Sequence, residues 1–481
     1  MPGIETPVLI AGGSLVGLST AMLLGHHGIP SLVVEQHRGT AIHPRAAQIS
    51  QRTMEIFRSA GVEEIVRRKS GEQFSQDGAI MAVETLAGKE LAWYVANLND
   101  GVRDVSPCER VFISQSLLEP VLKDRAIELG AELRFSTEML SFEQDASGVT
   151  AEIRHRDTGE TSRVRARYLV ACDGAHSLVR QCLGIPMRGR GAFSNSITIY
   201  FHADVAGLLR GRNLSVIYVI NRTLRGFFRF ETPYNCGFLA VNAVGDPANP
   251  VTDVSAGLTE ARCLELVRAA LGDDSVPVTV DNVMHWQAAA EVAGTFQAGR
   301  VFLAGDAAHV MPPNGGFGGN TGVQDAHNLA WKLAWVLKGR AGSELLSTYE
   351  AERRPIANFT VEQAYTRYVT RTDPRLGKGD LHAAAPDLNV ELGYLYGCDE
   401  VHRNPRDSPA RSGSRAPHVW VSEGVSTLDW FGRGFVLLAS HDTPAPAGSE
   451  LRVADNLAVR DCYGISQTCS VLVRPDGFIA P

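Results

Sequence analysis

The chain is expected to be an α/β protein: a Rossmann-like domain interrupted by an inserted antiparallel sheet. Three observations predict this. Residues 8–35 read as strand, glycine-rich turn, helix and strand, the pattern of a dinucleotide-binding βαβ unit. From 195 to 244 strand follows strand across short loops, as in an antiparallel sheet. A short apolar strand at 300–304 then leads into a long helical pattern at 321–337 and returns the chain to the first sheet.

Taken in order, residues 8–11 form an apolar strand of the buried parallel kind. The turn 12–17 follows, residues 18–26 are helical in pattern, and Gly28 is placed as a C-cap. The second strand, 31–35, ends in Glu35. Residues 74–95 read as short strands interrupting the first domain. Helical pattern returns at 115–129, followed by strands near Leu133 and Phe142, at 149–155 and at 168–171. The strand-rich stretch divides into 195–202, 214–220, 226–230 and 237–244. The helix 321–337 is apolar at 326, 329, 330, 333 and 337 and is capped by Gly339. Beyond about 373, Pro374, Pro386, Pro405 and Pro409 lie in a polar stretch that reads as a linker. Strand-like runs at 435–439 and 470–473 and a turn at Pro475-Asp476-Gly477 complete the chain.

Apolar residues are 44% of the 481 and charged residues 21%, ordinary for a globular protein with a sizeable core. The net charge of −7 argues against a nucleic-acid binder, which would show a basic domain. No stretch is long and apolar enough to span a bilayer. The uncharged run 8–24 lacks the basic flank of a signal peptide, so a cytoplasmic protein is expected. The eight cysteines show no C-x-x-C spacing. Free thiols are therefore expected, with neither a metal site nor a redox dithiol.

Three separated motifs point to one ligand. In Gly12-x-Ser14-x-x-Gly17 the first glycine permits a tight turn and the last lets helix and strand pack closely. Serine stands at the middle position, where a small side chain still lets its N–H reach a phosphate. A pyrophosphate suits the helix N-terminus, whose free N–H groups and dipole favour anions. Glu35, 18 residues beyond Gly17, is placed to accept hydrogen bonds from an adenosine ribose. A glycine-rich turn that merely packs a helix is the competing reading. The second motif is ACDGAHS at 171–177, with Arg180 behind it. Alone, its Asp173-Gly174 pair is an ordinary turn. The third is GDAAH at 305–309, where Asp306 is placed to bind a ribityl or ribose hydroxyl. It leads into PPNGGFGGN at 312–320, whose open N–H groups would stabilise the negative charge of a reduced isoalloxazine.

Together these motifs resemble the class A flavin-dependent aromatic hydroxylases typified by para-hydroxybenzoate hydroxylase. Within that group they are most similar to the aromatic-polyketide (antibiotic-biosynthesis) and phenol hydroxylases. The resemblance covers residues 5–372 strongly and the tail more weakly. It is carried by GRVFLAGDAAH…PPNGGFGGNTGVQDAHNLAWKLA, ACDGAHSLVR, HPRAAQIS and CERVFISQSLLEP. It implies a GR2-type FAD-binding domain formed by 1–73, 101–185 and 286–372, and a substrate-binding domain formed by 74–100 and 186–285. Residues 373–481 would be a thioredoxin-like C-terminal domain lacking C-x-x-C. FAD would be held by Gly12, Ser14, Gly17, Glu35, Arg45, Arg110, Gln115, Asp173, Asp306, Gly319 and Asn320. Arg45, Pro313 and Gly315 would stand at its reactive edge. The chain stops just after VLVRPDGFIAP, where members of the group continue into a helix.

The implied reaction uses NADPH or NADH to reduce FAD. Dioxygen then forms a flavin C4a-hydroperoxide, which passes one oxygen to a phenolic or polycyclic polyketide-type substrate. The protein must keep water from that site. Tyr200, Tyr218, Phe228 and Phe238, with Phe230 beside them, are the candidate substrate contacts. Tyr200, His202, Tyr218 and His285 are candidate bases. The aromatic residues are by default ordinary sheet core, and the histidines satisfied ones. An FAD-dependent oxidase or epoxidase acting on a non-phenolic natural-product intermediate is the alternative. A flavin halogenase would need a W-x-W-x-x-P segment, which is absent, and a noncatalytic nucleotide-binding protein would purify colourless. A monomer or homodimer is expected.

Overall fold

The computed structural model describes residues 3–42, 48–246, 250–407, 409–441 and 443–481. Strand β1 (Ile4–Ala11) lies between β2 (Ser31–Val34) and the strand Thr161–Ala171, parallel to both. Ala131–Arg134 extends the sheet beyond β2, and Val301–Leu303 extends it on the other side, again in parallel. The register brings Ala11, Val34, Ala171 and Leu303 to one edge of the sheet. Each of the three glycine-containing motifs begins there, so the parallel pairing gathers segments nearly three hundred residues apart at the carboxyl ends of the strands.

Helix α1 (Leu15–His26) starts directly after the first turn, three residues earlier than its periodicity implied. It is buried almost all round, so no polar stripe marks its start. Gly12 has φ +98°, and a Cβ there would collide with the carbonyl of Cys172. A Cβ on Gly17 would strike the carbonyl of Gly12. Both glycines are therefore required by close backbone approach. The long helix Phe317–Leu337 also begins one turn earlier than expected, behind Gly316 in the left-handed region. Among the described residues, four helices of nine or more residues were not read from the sequence: Gln51–Ser59, Glu63–Gln73, Glu260–Leu271 and Ser347–Arg371. The last carries Pro355 in its interior, a residue that normally ends a helix.

The inserted layer is an eight-stranded sheet. Its order is His309–Val310, Thr279–Ala293, Met187–His202, Cys236–Val244, Leu224–Glu231, Leu214–Ile220, Ala79–Val83 and Glu90–Val95. It is antiparallel except for Leu214–Ile220 beside Ala79–Val83, which run parallel. Thr279–Ala293 carries this sheet beyond the boundary expected at 285, and His309–Val310 from the third motif joins its edge. One face packs on helix Glu260–Leu271 through Ile197, Ile199, Phe201, Phe228 and Leu239, all at most 1% exposed. The other face looks toward the first domain.

The stretch after 373, read from its prolines as a linker, is packed structure. Arg367 donates to the Ala385 carbonyl (2.6 Å) and to Asp387 (2.7 Å). Tyr394 and Tyr396 are buried beneath Arg353. The C-terminal unit is a three-stranded sheet ordered Ser449–Val453, Phe435–Ala439, Val471–Val473, one pair parallel and one antiparallel, with helix Leu457–Tyr463. All eight cysteines are free. This unit docks through buried charge: Glu55 receives Arg415 and Arg52, while Arg474 reaches Glu352 and Asp476.

Burial alone would push the Glu55 carboxyl up, but Arg415 and Arg52 hold it below the usual range. Replacing Glu55 with glutamine leaves two guanidinium groups buried beside a neutral partner. The expected cost is about 3–5 kcal/mol of stability, read as a lower midpoint in a thermal melt. An unchanged midpoint would show that this ion triad does not secure the docking.

Candidate active site

At the first motif the Gly13 N–H donates to Glu35 Oε2 (2.7 Å), while His37 N–H donates to Oε1 (2.8 Å). A buried carboxylate thus ends β2 beside the glycine turn, the position read for a ribose. The N-terminus of α1 carries a partner that sequence reasoning missed. Glu119, fully buried on helix Gln115–Glu128, accepts from Ser14 Oγ (2.5 Å), Leu15 N–H (3.0 Å) and Ala41 N–H (2.7 Å). Ser14 is therefore held by its hydroxyl, a bond that glycine could not make. The signal for Glu119 was a carboxylate inside the apolar run SLLEPVL.

At the second motif Asp173 accepts from Val179 N–H (3.1 Å), while its Oδ1 is buried with no hydrogen-bond partner. Burial pushes this carboxyl up. A Cβ built on the neighbouring Gly174 meets nothing within 4 Å. A buried acceptor next to open space suits a bound hydroxyl, and the Gly12–Gly17 turn supplies the backbone cradle. The residues present therefore fit FAD. Arg180 joins this motif to the third by donating to the carbonyls of Ala307 (3.0 Å) and Ala175 (2.8 Å).

The third motif hangs on Asp325, a fully buried carboxylate on the long helix. It accepts from Gly305 N–H (3.1 Å), from the His309 ring (2.7 Å) and from Arg353 Nε (2.8 Å). Asp306 is exposed on the turn between Gly305 and Ala307. Next, Pro312 is buried and Pro313 exposed, and Gly315 (φ +96°) and Gly316 (φ +67°) bend the loop into the helix. Gln48 donates to the Gly315 carbonyl (3.4 Å). Gly319 lies so close to α1 that a Cβ would sit 2.9 Å from Leu15.

Two of the residues read as FAD contacts have other work. The Asn320 side chain accepts from Ser50 N–H (2.9 Å) and Thr53 Oγ1 (2.7 Å), and donates to the carbonyls of Gln48 (3.0 Å) and Gly316 (2.7 Å). Arg110 is paired in the interior with Glu391 (2.9 Å) and donates to the Leu98 carbonyl. Gln115 is half-buried in the first turn of its helix. Arg45 lies outside the described residues.

The sheet face turned toward this loop carries a row of aromatic rings. Tyr94 and Tyr218 are 5.7 Å apart between ring centres, Tyr218 and Phe227 6.0 Å, Phe227 and Phe238 6.0 Å, and Phe238 and Tyr200 5.9 Å. Asn314 of the loop donates to the Tyr218 hydroxyl (3.3 Å), joining loop and row. Phe228 and Phe230 are corrected: both face the opposite side and pack on Phe201. Strand alternation decides this, since neighbours on a strand point to opposite faces; Phe227 is the ring on the loop side. His202 and His285 are exposed, and His202 pairs with Asp281 (3.1 Å).

The chain is similar to known proteins along nearly all of its length. Residues 5–364 match the family model described as an FAD binding domain. The 4-methyl-5-nitrocatechol 5-monooxygenase of Burkholderia sp is 50% identical, the match covering all of this chain and 94% of that protein. The tetracenomycin B2 monooxygenase-dioxygenase of Streptomyces olivaceus is 39% identical over all of this chain and 95% of its own. The solved ternary complex of aklavinone-11 hydroxylase with FAD and aklavinone superposes with a TM-score of 0.91 at 34% identity, covering 100% of this chain and 96% of that one.

Burial pushes the Asp325 carboxyl up, but His309 and Arg353 outweigh it and hold it below the usual range. Its contribution is therefore complete above about pH 4, the unfolded value, and is lost as pH falls through the lowered one. Asp325→Asn should cost about 3–5 kcal/mol at neutral pH and flatten the acid limb of a stability–pH curve. A wild-type acid limb would contradict the assignment. Asp306→Ala should weaken FAD binding roughly ten- to a hundredfold, from a charge-assisted hydrogen bond worth ~1.5–3 kcal/mol. Fluorescence titration of the stripped protein with FAD checks this, and unchanged affinity would remove Asp306 from the site.

Proposed function

We propose, from the premise that this chain belongs to the FAD binding domain family and is an FAD-dependent aromatic monooxygenase, that its substrate is a substituted phenol or catechol. The observation that carries the reading is the aromatic row facing the 312–316 loop, with the Tyr218 hydroxyl bound by Asn314. The nitrocatechol monooxygenase relative, at 50% identity, supports a single-ring phenol over a polycyclic ring system. NADPH or NADH as reductant, dioxygen as co-substrate, a cytoplasmic location, a monomer or homodimer, and a thioredoxin-like C-terminal unit lacking C-x-x-C belong to the same reading. Among the described residues no helix is long and apolar enough to cross a membrane.

When bound, FAD supplies hydride acceptance and oxygen activation. The chain's own residues hold and shield it. Gly12, Gly13 and Gly17 let the backbone approach a pyrophosphate, and Glu35, Asp173 and Asp306 offer carboxylates to its hydroxyls. Ser14 is positioned by Glu119. The first N–H groups of the long helix would favour negative charge on the ring system. Pro313 and Gly315 would border the reacting edge, and the aromatic row would stack on the substrate and exclude water. Because the Tyr218 oxygen accepts from Asn314, its own O–H is left to donate to the substrate's phenolic oxygen and orient the ring. His202 and His285 are too exposed to serve a shielded site.

With NADPH and NADH each supplied in turn, substituted catechols and phenols should stimulate cofactor oxidation and yield hydroxylated product. Oxygen consumption that gives only hydrogen peroxide, with every phenol and with polycyclic quinones, would favour the oxidase reading instead. Tyr218→Phe should retain FAD and slow product formation roughly tenfold, the ~1.4 kcal/mol of one hydrogen bond. An unchanged rate would remove Tyr218 from substrate orientation.

A further inference from the structure

We propose that Tyr94 and Arg371 form a gate at the exposed end of the aromatic row, and that this cation–π contact sets the size of ring the site admits. The proposal rests on the hydroxylase reading above and adds what limits the substrate class of that same site. The row has one sealed end and one open end. Tyr200 lies at the first and is 8% exposed, while Tyr94, on Glu90–Val95, is 37% exposed. Glu90–Val95 is the last strand of the inserted sheet, and among the described residues no strand pairs with its outer edge.

The helix Ser347–Arg371 ends against this part of the sheet. Thr372, the residue that follows it, is tied down twice. Arg225, on Leu224–Glu231, donates to the Thr372 carbonyl (2.8 Å). Asn314 donates to the Thr372 hydroxyl (3.5 Å) and also to the Tyr218 hydroxyl. Arg371, one residue earlier, has no such tie. Its guanidinium lies 5.1 Å from the centre of the Tyr94 ring, and among the described residues it makes no hydrogen bond or ion pair. The Tyr94 hydroxyl has no hydrogen-bond partner among them either.

A cation over a ring face is held without directional bonds, so the contact opens at little cost. It lies just outside two fixed points: Thr372 on the helix side and, 5.7 Å from Tyr94, the Tyr218 ring on the sheet side. Those two points are joined through Asn314 and part only when its hydrogen bonds break. Opening therefore falls to the Arg371 side chain and the Tyr94 ring, each of which can turn toward solvent. A single ring passes such an opening edge-on, whereas a fused polycycle meets the tethered Thr372 and Tyr218. The bound ring rests farther in, against Tyr218, Phe227 and Phe238. The gate thus meets the substrate only in passage. It changes the rates of entry and exit by one factor and leaves the affinity for a small ring unaltered.

The test is stopped-flow binding to the FAD-loaded enzyme without reductant, followed by flavin absorbance. The probes are catechol, 1-naphthol and 1,8-dihydroxyanthraquinone. Wild type should take up catechol about tenfold or more faster than the tricyclic ring, with 1-naphthol between them. Arg371→Ala should raise both the association and the dissociation rate of catechol about fivefold and leave its Kd within about twofold. Arg371→Lys, which returns a cation to the ring, should bring both rates back toward wild type. Tyr94→Ala should remove the size preference, so that the tricyclic ring enters at about the catechol rate. FAD content of each variant reports its integrity. A wild type without a size preference overturns the proposal, as does a Tyr94→Ala enzyme that keeps it. Arg371→Ala rates equal to wild type overturn it, and so does a change in dissociation alone, which would make Arg371 a substrate contact. Arg371→Lys as fast as Arg371→Ala also overturns it. Failure of the hydroxylase reading is separate: no phenol would then yield product while the size-dependent rates persist.

Discussion

Asp325 is the point through which the cofactor half of the molecule is organised. Its two oxygens hold the Gly305 turn, the His309 ring and the Arg353 guanidinium, all without solvent. The turn carries Asp306, and His309 belongs to the strand that joins the inserted sheet. Arg353 in turn lies against Tyr394 and Tyr396 of the C-terminal half and donates to the Thr321 carbonyl. One buried anion therefore sets the distance between the parallel sheet, the inserted sheet and the segment beyond 373. A carboxylate in so dry a place is stable only with its donors present, the Arg353 guanidinium among them. The same economy recurs at Glu55 and at Glu352, each ionised between two basic partners.

The parallel sheet and its three motifs were legible because they follow from local rules. Short apolar strands that each end in a glycine or an aspartate mark the carboxyl edge of such a sheet, and Gly12 and Gly17 stand where no Cβ fits. The roles within the site were less legible, because they depend on partners distant in sequence. Asn320 lies in a glycine-rich helix start and reads as a ligand contact, yet its side chain is spent on Ser50, Thr53, Gln48 and Gly316. Arg110 reads the same way, yet Glu391, 281 residues later, takes it. Glu119 and Asp325 lie within the quoted segments CERVFISQSLLEP and PPNGGFGGNTGVQDAHNLAWKLA, yet neither was given a role; each is a carboxylate set into a buried helix face, noticeable only once that face is known to be buried. The prolines after 373 suggested a linker because proline and polarity are all that a linker needs, and the tyrosines that anchor the stretch carry no mark of their target.

The substrate side shows a finer limit. Phe227 and Phe228 are adjacent and identical, and composition cannot rank them. Pairing can: Phe227 lies opposite Tyr218 and Phe228 opposite Leu239 and Ile217, so one joins the aromatic row and the other the core. A single step along the strand is the difference between a ring that meets the substrate and one that stabilises the sheet.

The central claim is that catalysis occurs between this aromatic face and the 312–316 loop. A crystal structure of the FAD complex with a bound substituted catechol tests it most directly. The account predicts the catechol ring against Tyr218, Phe227 and Phe238, with the isoalloxazine edge at Pro313–Gly315. A ring bound on the Phe228 and Phe230 side, or an isoalloxazine edge away from that loop, would contradict it.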